Sequence, residues 1–138
     1  CTRLRGKRIS ILNFIEGTRL TKAKHQQQQS PFTHLLKPKI GGLALVLSAM
    51  GEQFHSLLDV TIYYPQGEMS IWDLMCGRIS EVVVHVREIE IPAHLRGGGN
   101  FEDIVAYRTK VNFWVQEIWN DKDKLLNEMS TAKKSLNS

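Results

Sequence analysis

An acidic and a basic residue stand three positions apart, immediately after an apolar run. Glu16 and Arg19 flank Gly17 and Thr18, and residues 9–14 before them are mostly apolar. Such a run predicts a buried strand of a parallel sheet, and open α/β sheets usually hold ligands at the carboxyl ends of their strands. Because a guanidinium binds phosphate or carboxylate through two parallel hydrogen bonds, we expect a site for a phosphorylated substrate. The alternative is a surface ion pair on a turn, which contributes little.

Two lysines flank a proline just before the next apolar segment. Lys37 and Lys39 precede the glycine pair at residues 41–42, and residues 43–50 are apolar on nearly every side. That pattern predicts a buried helix ended by Gly51. Amides at the start of a helix attract anions, so Lys37 and Lys39 are candidates for the same anion site, with a solvated basic loop as the alternative. We expect the glycine pair to allow close backbone packing.

Three motifs follow one another along the chain. The sequence Phe-Ile-Glu-Gly-Thr-Arg at residues 14–19 is followed by Leu-Leu-Lys-Pro-Lys-Ile-Gly-Gly at residues 35–42 and by an apolar segment at residues 57–65. Their order resembles that in the glycerolipid acyltransferases, the lysophosphatidic acid acyltransferase superfamily. It is similar in particular to the subgroup of bacterial inner-membrane acyltransferases and eukaryotic lysocardiolipin acyltransferases. The similarity continues to Trp119 and the Lys122 and Asp123 pair, so it covers nearly the whole chain.

The resemblance implies an enzyme of phospholipid biosynthesis. Such an enzyme transfers a fatty acyl group from acyl-CoA or acyl carrier protein to the free hydroxyl of a lysophospholipid acceptor such as 1-acyl-sn-glycerol-3-phosphate. It implies that Arg19 contacts the acceptor phosphate and that Glu16 and Thr18 shape the loop. Beyond the acyl donor it implies no cofactor, and it implies no metal. The expected phosphate-binding residues are Glu16, Gly17, Thr18, Arg19, Lys37 and Lys39.

The general base of this superfamily belongs to a His-x-x-x-x-Asp motif, which the chain lacks. His55 has Asp59 four positions later, and His85 has Glu90 five positions later, which places those two side chains on opposite faces of a strand. The chain also begins at Cys1 without a methionine. We therefore expect a soluble carboxyl-terminal fragment without catalytic residues, from a parent enzyme on the cytoplasmic face of the bacterial inner membrane.

The rest of the sequence predicts further elements of the fold. The polar residues 21–32 predict a long, mobile surface loop. Residues 58–64 and 81–91 predict strands, the second of them bulged or near an edge. Residues 70–76 predict a short helix ended by the glycine that follows.

Apolar residues recur every three or four positions from Phe101 to Met129. They predict one long amphipathic helix, capped by Asn100, or two helices with a break near Asn120. We therefore expect an α/β class fold, the carboxyl-terminal part of a glycerol-3-phosphate acyltransferase-like fold. In it, a mostly buried short sheet is flanked by helices and followed by a long carboxyl-terminal helix.

Composition limits the remaining alternatives. The 138 residues, 42% of them hydrophobic, are enough for one core, so we expect residues 1–138 to form a single or partial domain. The net charge of +4 favours anionic partners. The alternative function is a noncatalytic basic module that binds anionic lipid or nucleic acid, but the scattered basic residues and core-spaced aromatics disfavour it. We expect no nucleic-acid partner, and contact with the membrane surface only through the parent protein. Two cysteines without metal-ligand spacing predict free thiols.

Overall fold

A computed structural model describes residues 9–67, 71–97 and 104–136 of the chain. Its helices are α1 (Lys22–Gln28), α2 (Gly41–Met50), α3 (Ile71–Met75) and α4 (Ile104–Leu136). Its strands are β1 (Ser56–Tyr63) and β2 (Val83–Glu90), and short 3-10 turns occupy Gly51–Gln53 and Ala93–Leu95. The protein therefore combines helices with a small sheet and ends in a long helix, as a mixed α/β class requires.

The hydrophobic core lies along one face of α4. This helix packs against α2, β1 and the turn at Ala93–Leu95. It runs without a break past Asn120, so one long helix is confirmed and the two-helix alternative is wrong. The expected cap Asn100 lies outside the described residues. The largest fully buried side chains of the core are Leu36, Leu47, Leu95, Val111 and Val115.

Both predicted strands are present, and they pair with each other. β1 and β2 run antiparallel in a continuous register from Ser56 opposite Glu90 to Tyr63 opposite Val83. Every residue of β2 has one partner in β1, so the strand has no bulge; the other alternative, an edge position, is confirmed, because the sheet has two strands in the described ranges. The alternation of apolar and polar residues in β2 is interrupted near Arg87 because the inward face of this strand carries charged and polar side chains.

A buried ion cluster occupies the inner face of the sheet. Asp59 is only 6% exposed, and its carboxylate lies 2.9 Å from Nε of Arg87 and 2.6 Å from Nζ of Lys122 on α4. The ammonium of Lys122 also donates to the carbonyl of Val60 and lies over the ring of Trp119. The sheet is thus attached to α4 by charge pairs as well as by apolar packing.

The outer face of the sheet is apolar and open. Leu58 is 65% exposed, and the other apolar side chains on its face, one end of which carries Glu88 and Glu90, are at least 46% exposed. The expectation of a mostly buried sheet is therefore wrong among the described residues. α4 covers the inner face of the sheet, which carries the ion cluster, and the outer face is exposed. The exposed apolar side chains on the other face are Leu58, Val60, Ile62, Val84 and Val86.

The apolar run at residues 9–14 does not form the strand that its composition predicts. The structure gives this segment no regular backbone, and it leaves Leu12 81% exposed and Phe14 77% exposed. A strand needs a neighbour to satisfy its backbone amides and carbonyls, and in the described part of the chain no strand lies beside this one. The expected buried parallel strand is therefore wrong.

Residues 22–28, expected to lie in a mobile loop, form α1 instead. Thr21 caps this helix by accepting a hydrogen bond from the backbone amide of Lys24 at 3.3 Å. Lysine, alanine and glutamine are good helix formers, so α1 forms although it has no apolar face and no buried residue.

The apolar helix α2 is buried on one face only. Leu43, Ala44, Leu47 and Met50 are buried, whereas Leu45 is exposed, so the expectation of burial all round is wrong. Gly51 follows α2 with a right-handed helical φ of −58°, and it does not end the helix in the left-handed conformation expected of a terminating glycine. A Cβ at this position would lie 3.0 Å from the backbone nitrogen of Gly97, so close approach of two backbones requires the glycine.

Candidate anion-binding site

The turn at residues 14–19 is built around a glycine with a left-handed backbone. The amide of Gly17 donates to the carbonyl of Phe14 at 2.9 Å, and its φ is +67°. Only glycine adopts this φ without strain. The amide of Lys39 donates to the carbonyl of Ile15 at 2.7 Å, which brings the second motif alongside the first. The two segments that resemble acyltransferase motifs are thus neighbours in space.

Glu16 turns towards the second motif and not towards Arg19. Its Oε1 accepts a hydrogen bond from the backbone amide of Leu36 at 3.1 Å. Burial raises the pKa of this carboxyl, while the hydrogen bond from Leu36 and the charge of Lys122 act to lower it. Among the described residues no ion pair joins Glu16 to Arg19, so the simple surface pair considered above is not what the structure contains.

Two lysines contact the turn that carries Arg19. Arg19 is exposed, and the side chain of Lys39 lies over Gly17, with Cδ 2.9 Å from where a Cβ would stand. Nζ of Lys24 donates to Oγ1 of Thr18 at 2.7 Å. Over the described ranges, no carboxylate lies within ion-pair distance of these cations. Their charge is therefore available to an external anion.

The start of α2 is open and follows Lys39 by two residues along the chain. Its first two glycines are exposed, and only ends of side chains approach them: the guanidinium of Arg108 lies 3.9 Å from a Cβ at Gly41, and the amide of Asn13 lies 3.4 Å from a Cβ at Gly42. The expectation that these glycines allow close backbone packing is therefore wrong. Lys37 is exposed nearby, and no hydrogen bond or ion pair connects it to other described residues.

Side chains of α4 form hydrogen bonds with the backbone of the second motif and of the residues just before it. Nε1 of Trp119 donates to the carbonyl of Leu36 at 3.0 Å, so both backbone groups of Leu36 are bound by side chains. The two carboxylate oxygens of Asp123 accept from the amides of Thr33 and His34 at 2.8 and 2.7 Å. These bonds fix the segment that carries Lys39.

Sequence reasoning missed two of the cations that approach the site. The sequence predicts a loop around Lys24 and a long helix around Arg108, and neither prediction brings these side chains to the site. The signal for Lys24 was present in Thr21, a good helix cap followed by helix-forming residues, which places a lysine in the first turn of a helix. For Arg108 no local signal exists, because only the packing of α4 brings it near Gly41.

The geometry suits binding of a phosphate group. An arginine, two lysines, a threonine hydroxyl and free helix amides are the groups that proteins use for oxyanions. Within the ranges that the structure describes, no group of three or more metal-binding side chains is found, and no helix has the length and apolarity to span a membrane. Comparisons with protein-family models, curated proteins and solved structures find no match to the chain.

Replacing Glu16 by glutamine tests the positioning role of this carboxyl. Because the folded protein raises its pKa above the ordinary 4.5, the burial of Glu16 favours folding in acid, and this contribution is lost as pH rises through the folded-state pKa. Glu16→Gln keeps an acceptor for Leu36 without a titrating group. We therefore expect wild type to lose stability relative to Glu16→Gln in urea unfolding as the pH rises above the ordinary pKa of 4.5.

Glu16→Ala is the matched comparison. It removes the acceptor, leaves the amide of Leu36 unsatisfied and should cost about 1–3 kcal/mol. A wild type that gained stability over Glu16→Gln as the pH rose would contradict the assignment, because it would show that the folded protein favours the charged carboxylate.

Proposed function

We propose that this chain provides the acceptor-binding part of an acyltransferase that acts on lysophospholipids. The observation that carries the proposal is that Lys24 and Lys39 contact the turn that carries Arg19, with no described carboxylate within ion-pair distance of these three cations. The resemblance of residues 14–19 and 35–42 to the acyltransferase motifs supplies the reaction. The structure adds that these two motifs meet in space.

In this proposal the chain contributes binding and orientation. Arg19 holds the phosphate of the acceptor, so the free hydroxyl of the glycerol lies at a fixed distance from the base that removes its proton. Such positioning lowers the barrier without a chemical step by Arg19 itself. The acyl donor is acyl-CoA or acyl carrier protein, and the hydroxyl attacks its thioester carbonyl. The base would come from a His-x-x-x-x-Asp motif outside these residues, so we expect no transfer by this chain alone.

Titration with glycerol 3-phosphate tests the binding claim. It contains the phosphate and the glycerol of the acceptor and lacks the acyl chain, so binding does not depend on micelles or on an acyl tunnel. We expect a dissociation constant of about 1 mM, because a few charged hydrogen bonds in an open site give about 4 kcal/mol. The measurement is the change in amide chemical shifts of residues 14–19, 37 and 39–42, with glycerol at equal concentration as the control.

Two outcomes would overturn the proposal. Equal shifts with glycerol would show that the phosphate is not what the site recognises. Tight binding to RNA or to anionic vesicles, with no response to glycerol 3-phosphate, would favour the noncatalytic basic module instead.

A further inference from the structure

The hydrogen bond between Lys24 and Thr18 determines where the threonine hydroxyl can donate. An ammonium has three donors and no acceptor, so Oγ1 of Thr18 must be the acceptor in the 2.7 Å contact. A hydroxyl that accepts from one side keeps its own proton for another partner. Among the described residues, nothing accepts from Thr18. Its O–H is therefore free to donate to a group from outside the protein.

The first turn of α1 sets this contact. The backbone amide of Lys24 bonds to the cap Thr21, which fixes the start of the helix and places Lys24 over the turn. Lys22 belongs to the same turn of α1 but is exposed and has no hydrogen bond to other described residues. The two lysines thus carry the same charge on the same helix, and only one is directed at the site.

We propose that Lys24 is a positioning residue that aims the Thr18 hydroxyl at a phosphomonoester dianion and so gives the site a preference for an acceptor with a terminal phosphate. The inference depends on the proposed function, because it concerns the same site. A terminal phosphate carries close to two charges near neutral pH, since its second pKa is about 6, and it offers three oxygens. A phosphodiester carries one charge and has fewer free oxygens.

The arrangement of donors favours the dianion. Lys39 and Lys24 contact Gly17 and Thr18, and Arg19 follows them in the chain, so this segment carries more positive charge than one negative charge would balance. A guanidinium offers two parallel donors, and the hydroxyl of Thr18 adds a neutral one. A monoester can offer three oxygens to these donors, whereas a diester uses one of those oxygens for its second ester bond.

The test compares glycerol 3-phosphate with glycerophosphoglycerol, its diester counterpart, on the 138-residue chain. Dissociation constants are measured by amide shifts at about pH 5 and about pH 7.5, on either side of the second phosphate pKa. Wild type should bind the monoester about tenfold more tightly than the diester at the higher pH, and this preference should shrink in acid. Lys24→Met and Thr18→Val should each weaken monoester binding about five- to tenfold.

The double variant and the control separate positioning from other roles. If Lys24 acts through the hydroxyl, Lys24→Met with Thr18→Val should be little weaker than Lys24→Met alone. Lys24→Arg should restore part of the monoester preference, and Lys22→Met should behave as wild type. Additive losses in the double variant, or equal effects of Lys24→Met and Lys22→Met, would overturn the inference.

The same data distinguish this inference from the proposed function. If wild type binds glycerol 3-phosphate and Arg19→Ala does not, while Lys24→Met leaves the monoester preference and its pH dependence unchanged, only the role of Lys24 is wrong. If wild type shows no binding of glycerol 3-phosphate above that of glycerol, the proposed function fails and this inference fails with it.

Discussion

Asp59→Ala is expected to destabilise the protein by about 3–5 kcal/mol. The substitution leaves the buried ammonium of Lys122 and the guanidinium of Arg87 facing each other without the carboxylate that lies 2.6 and 2.9 Å from them. An uncompensated buried charge costs far more than the net contribution of the pair. The measurement is the free energy of unfolding in urea, with circular dichroism to establish that the variant folds.

Asp121→Ala is the matched control, because Asp121 also faces Arg87. Its carboxylate lies 3.5 Å from the guanidinium and is 59% exposed, so its loss should cost no more than about 1 kcal/mol. If Asp59→Ala does not fold, a triple replacement decides the matter. Substituting Asp59, Arg87 and Lys122 together by leucine or methionine should restore a folded protein, because no buried charge then lacks its partner and Asp121 is exposed to solvent. A triple variant as unstable as Asp59→Ala would contradict the account.

Arg19→Ala is expected to weaken the binding of glycerol 3-phosphate about ten- to hundredfold. A lost hydrogen bond to a charged group costs about 1.5–3 kcal/mol, and each 1.4 kcal/mol corresponds to about tenfold in affinity. Arg19→Lys should recover only part of the loss, since an ammonium lacks the planar fork of donors. Titration followed by amide shifts, as for wild type, measures both.

Arg78→Ala is the control for a general loss of positive charge. Arg78 is exposed and pairs with Asp73 beyond the cluster around Gly17, so its removal should leave the affinity within about twofold of wild type. In a complete enzyme, Arg19→Ala should lower the specificity for the phosphorylated acceptor much more than that for the acyl thioester. Unchanged affinity in a folded Arg19→Ala variant would show that Arg19 does not bind the phosphate.

Local pattern predicted the elements whose partners are close in sequence or whose periodicity is long. Alternation predicts the strands β1 and β2, and helical spacing predicts the continuous α4. The end of the short helix α3 follows from Gly77, whose φ is +65°. The segment at residues 9–14 fails because apolar composition does not supply a neighbouring strand. α1 was missed because a helix with no buried residue has no apolar period, and only its cap and its helix-forming residues reveal it.

The candidate site was predictable in part for the same reason. Glu16, Gly17, Thr18 and Arg19 lie on one short turn, so their proximity follows from sequence. The approach of Lys39 follows from the order of the motifs, but its position over Gly17 depends on a backbone hydrogen bond to Ile15. Three features depend on packing against α4, which no local pattern encodes. They are the direction of Glu16 towards Leu36, the ion cluster on the inner face of the sheet and the position of Arg108 near Gly41.

The bonds from α4 to the second motif also determine when the site can form during synthesis. Leu36 is held by Trp119, 83 residues further along, and the amides of Thr33 and His34 are held by Asp123, about 90 residues further along. Both motifs therefore leave the ribosome well before the helix that fixes one against the other. A nascent chain should acquire its affinity for phosphate only after α4 has emerged, because contacts so distant in sequence form late.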